Sequence, residues 1–349
     1  MSTFDWSTQK LKSIIAWYGM VNFDPSAPAR EDIVLVIDPS SAKGRILATF
    51  QDLFDVELEP RDAANRLRDL VLRPGEKEQT MTAWQFMIGS IARASHSFEY
   101  DTLVRLVDTV LELSKMSDSL PYHPIFGENS PSIKPGDLAF SKLPGLGLPL
   151  FESVQGVQYV YHNQVIRKLT VTSGPRQYIC NLQEVTFQAR FAAQRRFKNI
   201  STFVAMLTRI YLLGVPCRSM DFTHVGLPVI SLALEGDILE GEYQDRATVS
   251  YFRMGDPAIL YLPAAIQWIN VAGREMFQDA SLQTTLVSSS TKIGPLWRPA
   301  EGDRLWAKNR WEFWQKRLIY LAERGDLGPD LSNDVIKAAD NLAEILEYR

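Results

Sequence analysis

From Glu59 onward, apolar residues fall at three- and four-residue intervals, and the two-residue alternation of a half-buried strand is nearly absent. That periodicity confines the chain to helices packed on helices. Glu59-Pro60 opens a segment with Ala63, Leu67, Leu70 and Val71 on one face, and proline suits a first helical turn. Thr82 is positioned to cap the next helix, through Trp84, Phe86, Met87 and Ile91. The run from Tyr100 to Lys115 sets Leu103, Val107, Val110 and Leu111 against a face of Asp101, Arg105, Asp108 and Glu112. Later helices are expected over Leu182 to Arg196, Ile200 to Leu213 with Gly214 as C-cap, Phe222 to Leu234 behind Asp221, Pro257 to Phe277, and Arg304 to Arg324. Ser332 is the expected cap of a last helix with Val335, Ile336, Ala339, Leu342, Ile345 and Leu346 inward. Ile33 to Ile37 and Gln177 to Cys180 are the only short strand candidates, and both read equally well as helix.

One stretch breaks the pattern. Tyr122 to Phe151 holds Pro124, Pro131, Pro135, Pro144 and Pro149, with glycines at 127, 136, 145 and 147. Such density interrupts regular structure, while Phe126, Leu138, Phe140 and Leu146 give it an apolar side that packs. The expected fold is therefore all-α: a multi-helix bundle in two packed layers with a long Pro/Gly-rich crossing segment. The expected parts are an N-terminal helical region (1–120), a strap (121–151) that could act as a lid, and a C-terminal helical domain (152–349), with one continuous core as the alternative.

Composition narrows the function classes. A 349-residue chain with 46% hydrophobic and 22% charged residues is ordinary globular material. A net charge of −4 speaks against a nucleic-acid binder as a whole. No window approaches the ~20 apolar residues of a membrane helix. The first residues show a short amphipathic stretch but no secretory leader, so a cytoplasmic protein is expected. Cys180 and Cys217 are isolated, and His96, His123, His162 and His224 are scattered, which fits neither a disulfide framework nor a zinc site. A phosphate-binding loop, a dinucleotide fingerprint and a nucleophile elbow are all absent from the sequence.

Four constellations could carry chemistry. In the first, Arg310, Trp314 and Arg317 share a helix face, with Trp311, Phe313 and Lys316 beside them. Cations among aromatics hold an anion in a dry pocket, or else the rings are core anchors and the cations reach water. In the second, Gln267, Asn270 and Arg274 lie near one face of an apolar helix containing Trp268; they line a cavity or satisfy one another. In the third, Pro228 interrupts an apolar helix and frees the carbonyl of His224, either as a fixed partial charge or as a packing kink. The fourth is a cationic run, Arg190, Arg195, Arg196 and Lys198, which reads better as a solvated face than as a nucleic-acid contact. Asp221, Glu235, Asp237 and Asp279 are single carboxylates that would bind Mg²⁺ through water or serve as caps and surface charges.

Four stretches then bring a resemblance into view. They are Phe197-Lys198-Asn199-Ile200 through Leu207, Asp221-Phe222-Thr223 through Ala233-Leu234-Glu235, Pro263 to Ile269 with Ala272-Gly273, and Gly294-Pro295-Leu296-Trp297 followed by Arg310 to Trp314 and Arg317. In that order the C-terminal half resembles the fungal domain-of-unknown-function family 3632, departing from its pattern at Ser231, where arginine is expected, and over Asp303 to Lys308. The chain also looks like the helical sesquiterpene cyclases of fungal meroterpenoid clusters, the humulene-synthase type. That resemblance implies farnesyl diphosphate as a small-molecule partner, Mg²⁺ as cofactor, and ionisation to an allylic cation. It makes Trp268, Asn270, Trp311 and Trp314 catalytic candidates. Arg274, Lys292, Arg310, Lys316 and Arg317 become diphosphate contacts, with Phe203, Phe222 and Trp297 as substrate-facing walls. Asp221, Glu184 and Glu235 are the metal candidates, since the usual aspartate-rich motif is missing. A non-catalytic helical interaction or small-molecule-binding protein stands as the alternative.

Overall fold

A computed structural model describes residues 37–75, 79–120, 138–161, 175–235, 257–279, 296–297, 306–323 and 327–347, with side chains undescribed over 155–161, 175–193 and 257–260. Those residues form an all-α protein. The helices are α1 (Ala42–Phe54), α2 (Pro60–Leu72), α3 (Thr80–Ala94), α4 (Tyr100–Ser114), α5 (Gly147–Tyr161), α6 (Pro175–Leu212), α7 (Thr223–Leu234), α8 (Pro257–Gln278), α9 (Lys308–Glu323) and α10 (Pro329–Glu347). Among the described residues no strand forms; one isolated antiparallel bridge joins Ser119 and Ala139. No described helix is long and apolar enough to cross a membrane. The chain divides into two compact units, Met1–Pro149 and Leu150–Arg349.

In the first unit, α1 to α4 pack around Ile46, Phe50, Leu53, Leu67, Met87, Ile91, Leu106 and Val110, all buried. The apolar stripe of α4 supplies Leu103, Leu106, Val107 and Val110, which is why its acidic face looks outward. Ser41 caps α1, its hydroxyl accepting from the Gly44 amide at 3.1 Å. Arg105 of α4 closes the other end of α1: its guanidinium donates to the carbonyls of Leu53 at 3.1 Å and Leu58 at 2.7 Å. Leu53 is in the last turn of α1, where carbonyls lack a helical partner, and Leu58 lies in the connection to α2. Phe54 and Phe98 meet alongside, centroids 4.4 Å apart.

Val56, just past α1, has a φ of 63° and an exposed side chain. A β-branched residue in the left-handed region costs about 1–2 kcal/mol, partly offset in any glycine variant by a more flexible unfolded chain. Val56→Gly is therefore expected to stabilise this unit by about 1 kcal/mol in urea denaturation followed by circular dichroism. A loss of stability would mean that the isopropyl group packs in the folded unit.

Two expected caps moved. α3 begins at Thr80 behind Gln79, so Thr82 lies inside its first turn. α10 begins at Pro329 and Ser332 is already within it, its amide bonded to Gly328. At α10, Pro329 in the first turn preorganises the start better than a hydroxyl downstream does. Ile336, expected inward, is exposed, and Ala338 faces the core instead. Gln177 to Cys180 lies within α6, which runs unbroken to Leu212 where two helices were expected. Gly214, with φ of 102°, follows its end. Ile33 to Val36 and residues 121–137 of the expected strap lie outside the described residues. From Leu138 the strap is more ordered than its prolines suggest. Phe140 to Lys142 form a 3-10 turn, the Trp84 indole donates to the Pro144 carbonyl at 2.8 Å, and α5 has begun by Gly147, accommodating Pro149 in its first turn.

In the second unit, α8 is the central helix, packed along α6, α7 and α10. Its alignment with α6 is parallel: Phe197 meets Tyr261 edge-on at 5.2 Å, and Arg209 reaches Glu275 at 3.0 Å farther along. α9 and α10 form a neighbouring helical pair. Gly226 of α7 lies directly against the Trp268 ring, and Gly273 of α8 lies near Trp311 and Ile345. Small residues at these two positions allow large indoles to sit between helices.

Candidate functional site

The site grows from one pair of side chains. Arg310 lies in the first turn of α9, and Glu235 follows the last turn of α7; neither is exposed at all, at 0% each. A buried guanidinium is tolerated only where charge and hydrogen bonds are both answered. Here they are. Arg310 Nε donates to Glu235 Oε1 at 2.6 Å, and Nη2 donates to Glu235 Oε2 at 3.0 Å, a bidentate fork. Nη2 also donates to the Ser231 hydroxyl at 2.8 Å. The Trp314 indole donates to Glu235 Oε1 at 2.7 Å. The guanidinium lies 4.4 Å from the Trp297 ring centre and 5.3 Å from that of Trp314, so two aromatic rings face the cation. The Glu235 carbonyl accepts from the Leu296 amide at 3.1 Å, bringing the chain at 296–297 to the same point.

Around this pair the aromatics pack on one another. Trp311 and Trp314 meet at 5.1 Å, Trp306 lies 5.9 Å from Trp311, and Phe277 of α8 meets Trp311 at 5.4 Å. Trp268, Trp311, Trp314 and Phe203 are wholly buried, with Phe222 and Trp297 nearly so. The indole N–H groups of Trp268 and Trp311 are buried and make no hydrogen bond, so packing alone positions those rings. Chemically the arrangement is a neutralised ion pair inside an aromatic shell: it joins α7, α9 and the chain at 297.

The expected site residues fall into separate places. Arg310, Trp297, Trp314 and Glu235 come together, as does Ser231, which had been noted only for departing from a family pattern. Trp311 stands beside them, and Trp268 lies on another face of α8, against Gly226. Asn270 and Arg274, expected toward a cavity, are exposed along α10: Asn270 accepts from the Asn341 amide at 3.3 Å, and Arg274 lies 3.9 Å from Glu344. Lys316 is exposed, and Arg317 lies over the Tyr320 ring at 4.8 Å. Lys292 and the side chain of Glu184 lie outside the described residues. Glu235 does not fit a metal ligand, because both of its oxygens face N–H donors. Asp221 Oδ1 accepts from the Thr223 amide at 3.1 Å and hydroxyl at 2.8 Å, a local turn that leads into α7, whose N-cap is Phe222 rather than the expected Asp221. Among the described residues no group of three or more His, Cys, Asp or Glu side chains is placed to hold a metal. Cys217 is buried, and burial pushes its thiol up from the ordinary range, which disfavours a nucleophilic thiolate.

The fold and site define an all-α protein organised around an internal arginine–glutamate lock. Residues 84–318 match the family described as "Protein of unknown function (DUF3632)", and the chain belongs to that family. No curated protein matches the chain, and no solved structure does.

Proposed function

We propose that this chain is a non-catalytic helical interaction protein. One observation carries the reading: Arg310, the cation that an anion clamp on α9 would rely on, is fully buried and bound through Nε and Nη2 to Glu235 and Ser231. Recruiting it to a diphosphate would leave the Glu235 carboxylate buried without its counter-charge, which costs several kcal/mol. The aromatic face of α9 is engaged in packing, while Ile319, Tyr320 and Ile336 on α9 and α10 present large apolar side chains to the outside. A cytoplasmic location accords with this reading.

A second reading follows from the resemblance to helical sesquiterpene cyclases: a lyase that ionises farnesyl diphosphate with Mg²⁺ and closes the cation to a humulene-type hydrocarbon. Two features favour it. Pro228 and Pro263 interrupt the apolar helices α7 and α8 and withhold the helical donor from the carbonyls of His224 and Ile259. Aromatic side chains are dense along α8 and α9, a surrounding that attracts a carbocation. Incubation with farnesyl diphosphate, with and without Mg²⁺, followed by gas chromatography–mass spectrometry separates the two. The interaction-protein reading expects no hydrocarbon above the protein-free control, and a Mg²⁺-dependent sesquiterpene would overturn it.

A further inference from the structure

We propose that the end of the first unit formed by the α1–α2 connection and the start of α4 docks a cationic, amphipathic segment of a partner protein. This rests on the interaction-protein reading and names the chemistry of its partner. Two segments meet there. Phe54 meets Phe98 at a tilt, and Arg105 of α4 ties down the carbonyls of Leu53 and Leu58, so the α1–α2 connection and the start of α4 are held side by side. Two residues beyond Phe54 stands Val56, 63% exposed; two residues beyond Phe98 stands Tyr100, 54% exposed. Apolar groups of this size at such exposure lose free energy to water and recover it under a partner.

Charge selects the occupant. Asp55, Glu57, Glu59, Asp62, Glu99 and Asp101 are all exposed on these segments. Set against Arg61 and Arg105 they leave −4, as much as the whole chain carries. The remaining residues therefore sum to neutrality. Of the two arginines, Arg105 is turned onto backbone carbonyls. Such a field repels nucleic acid and anionic lipid and draws in lysine and arginine side chains. A helix or strand with cations flanking one or two apolar residues satisfies both features at once: its apolar residues cover Val56 and Tyr100 while its cations meet the carboxylate rim. Phosphate-bearing ligands are excluded by the same field.

The test uses the full chain and a dye-labelled 18-residue helix built from lysine and leucine, with a control in which glutamine replaces leucine at equal charge. Fluorescence anisotropy is expected to show saturable binding of the Lys/Leu peptide that weakens as salt is raised. Val56→Gly and Tyr100→Ser are each expected to weaken it by about 5–10-fold, the scale of an exposed anchor at an interface. The Lys/Gln control is expected to bind at least ~10-fold more weakly. Because Val56→Gly firms the fold while removing the contact, weaker binding by that variant cannot be a folding defect. No binding, undiminished binding by both variants, or equal binding of the control would each overturn the proposal. A hydrocarbon product from farnesyl diphosphate would instead overturn the interaction-protein reading, so the two failures are distinguishable.

Discussion

Arg310→Met destabilises the second unit by about 3–5 kcal/mol, because Glu235 then stays in the interior with no counter-charge. Both partners are wholly buried, so water does not screen the loss. Arg310→Lys is expected to fall between wild type and methionine. An ammonium keeps the charge but not the planar fork that reaches both carboxylate oxygens beside Trp297 and Trp314. Arg310→Met combined with Glu235→Gln should regain most of the loss. The double variant removes both charges and keeps an amide oxygen to accept from the Trp314 indole. Urea denaturation of wild type, Arg310→Met, Glu235→Gln and the double variant gives the coupling directly. Additive effects would mean that the two side chains do not share one buried site.

Gly226→Ala has the next largest effect, a loss of about 1–3 kcal/mol from overpacking. A Cβ at this position would stand 2.7–2.9 Å from three carbons of the Trp268 ring, closer than real Cβ contacts come. The ring has no slack, since it is wholly buried between helices. Its N–H makes no hydrogen bond, so no polar anchor resists a tilt, but the neighbouring side chains do. Trp268→Phe removes the benzo carbons in question, so in the Gly226→Ala background it should cost less than it does alone. A shift in tryptophan emission for Gly226→Ala would report the displaced indole. An unchanged midpoint and spectrum would contradict the contact.

The helices were legible because their signal is local. The faces of α2 and α4 follow from three- and four-residue spacing, and the starts of α2 and α8 follow from Pro60 and Pro257. The unbroken length of α6 was less legible, because its Gln- and Arg-rich first half gives a weak stripe. On α9, the four-residue spacing of Arg310 and Trp314 correctly placed them on one face. What that face meets depends on Glu235, which lies seventy-five positions away in sequence. No periodicity reaches that far. A lone glutamate after an apolar helix reads as a surface charge or metal ligand until its partner is seen. The structural weight of Gly226 likewise comes from Trp268, forty-two positions on. Asn270 and Arg274 were misplaced for a related reason: helical spacing fixed their common face, but α10, which sets that face along the exposed rim, comes later in the chain.

The availability of Arg310 is the point on which the account stands, and a thermal shift with pyrophosphate measures it. The unfolding midpoint is followed in ~5 mM Mg²⁺ with pyrophosphate raised to millimolar concentration, for wild type and Arg310→Met. A ligand a thousandfold above its dissociation constant adds about 4 kcal/mol to stability, so even modest affinity is visible. The buried lock predicts no saturable rise for either protein. A saturable rise in wild type that disappears in Arg310→Met would show that the guanidinium leaves Glu235 for an anion, and would contradict it.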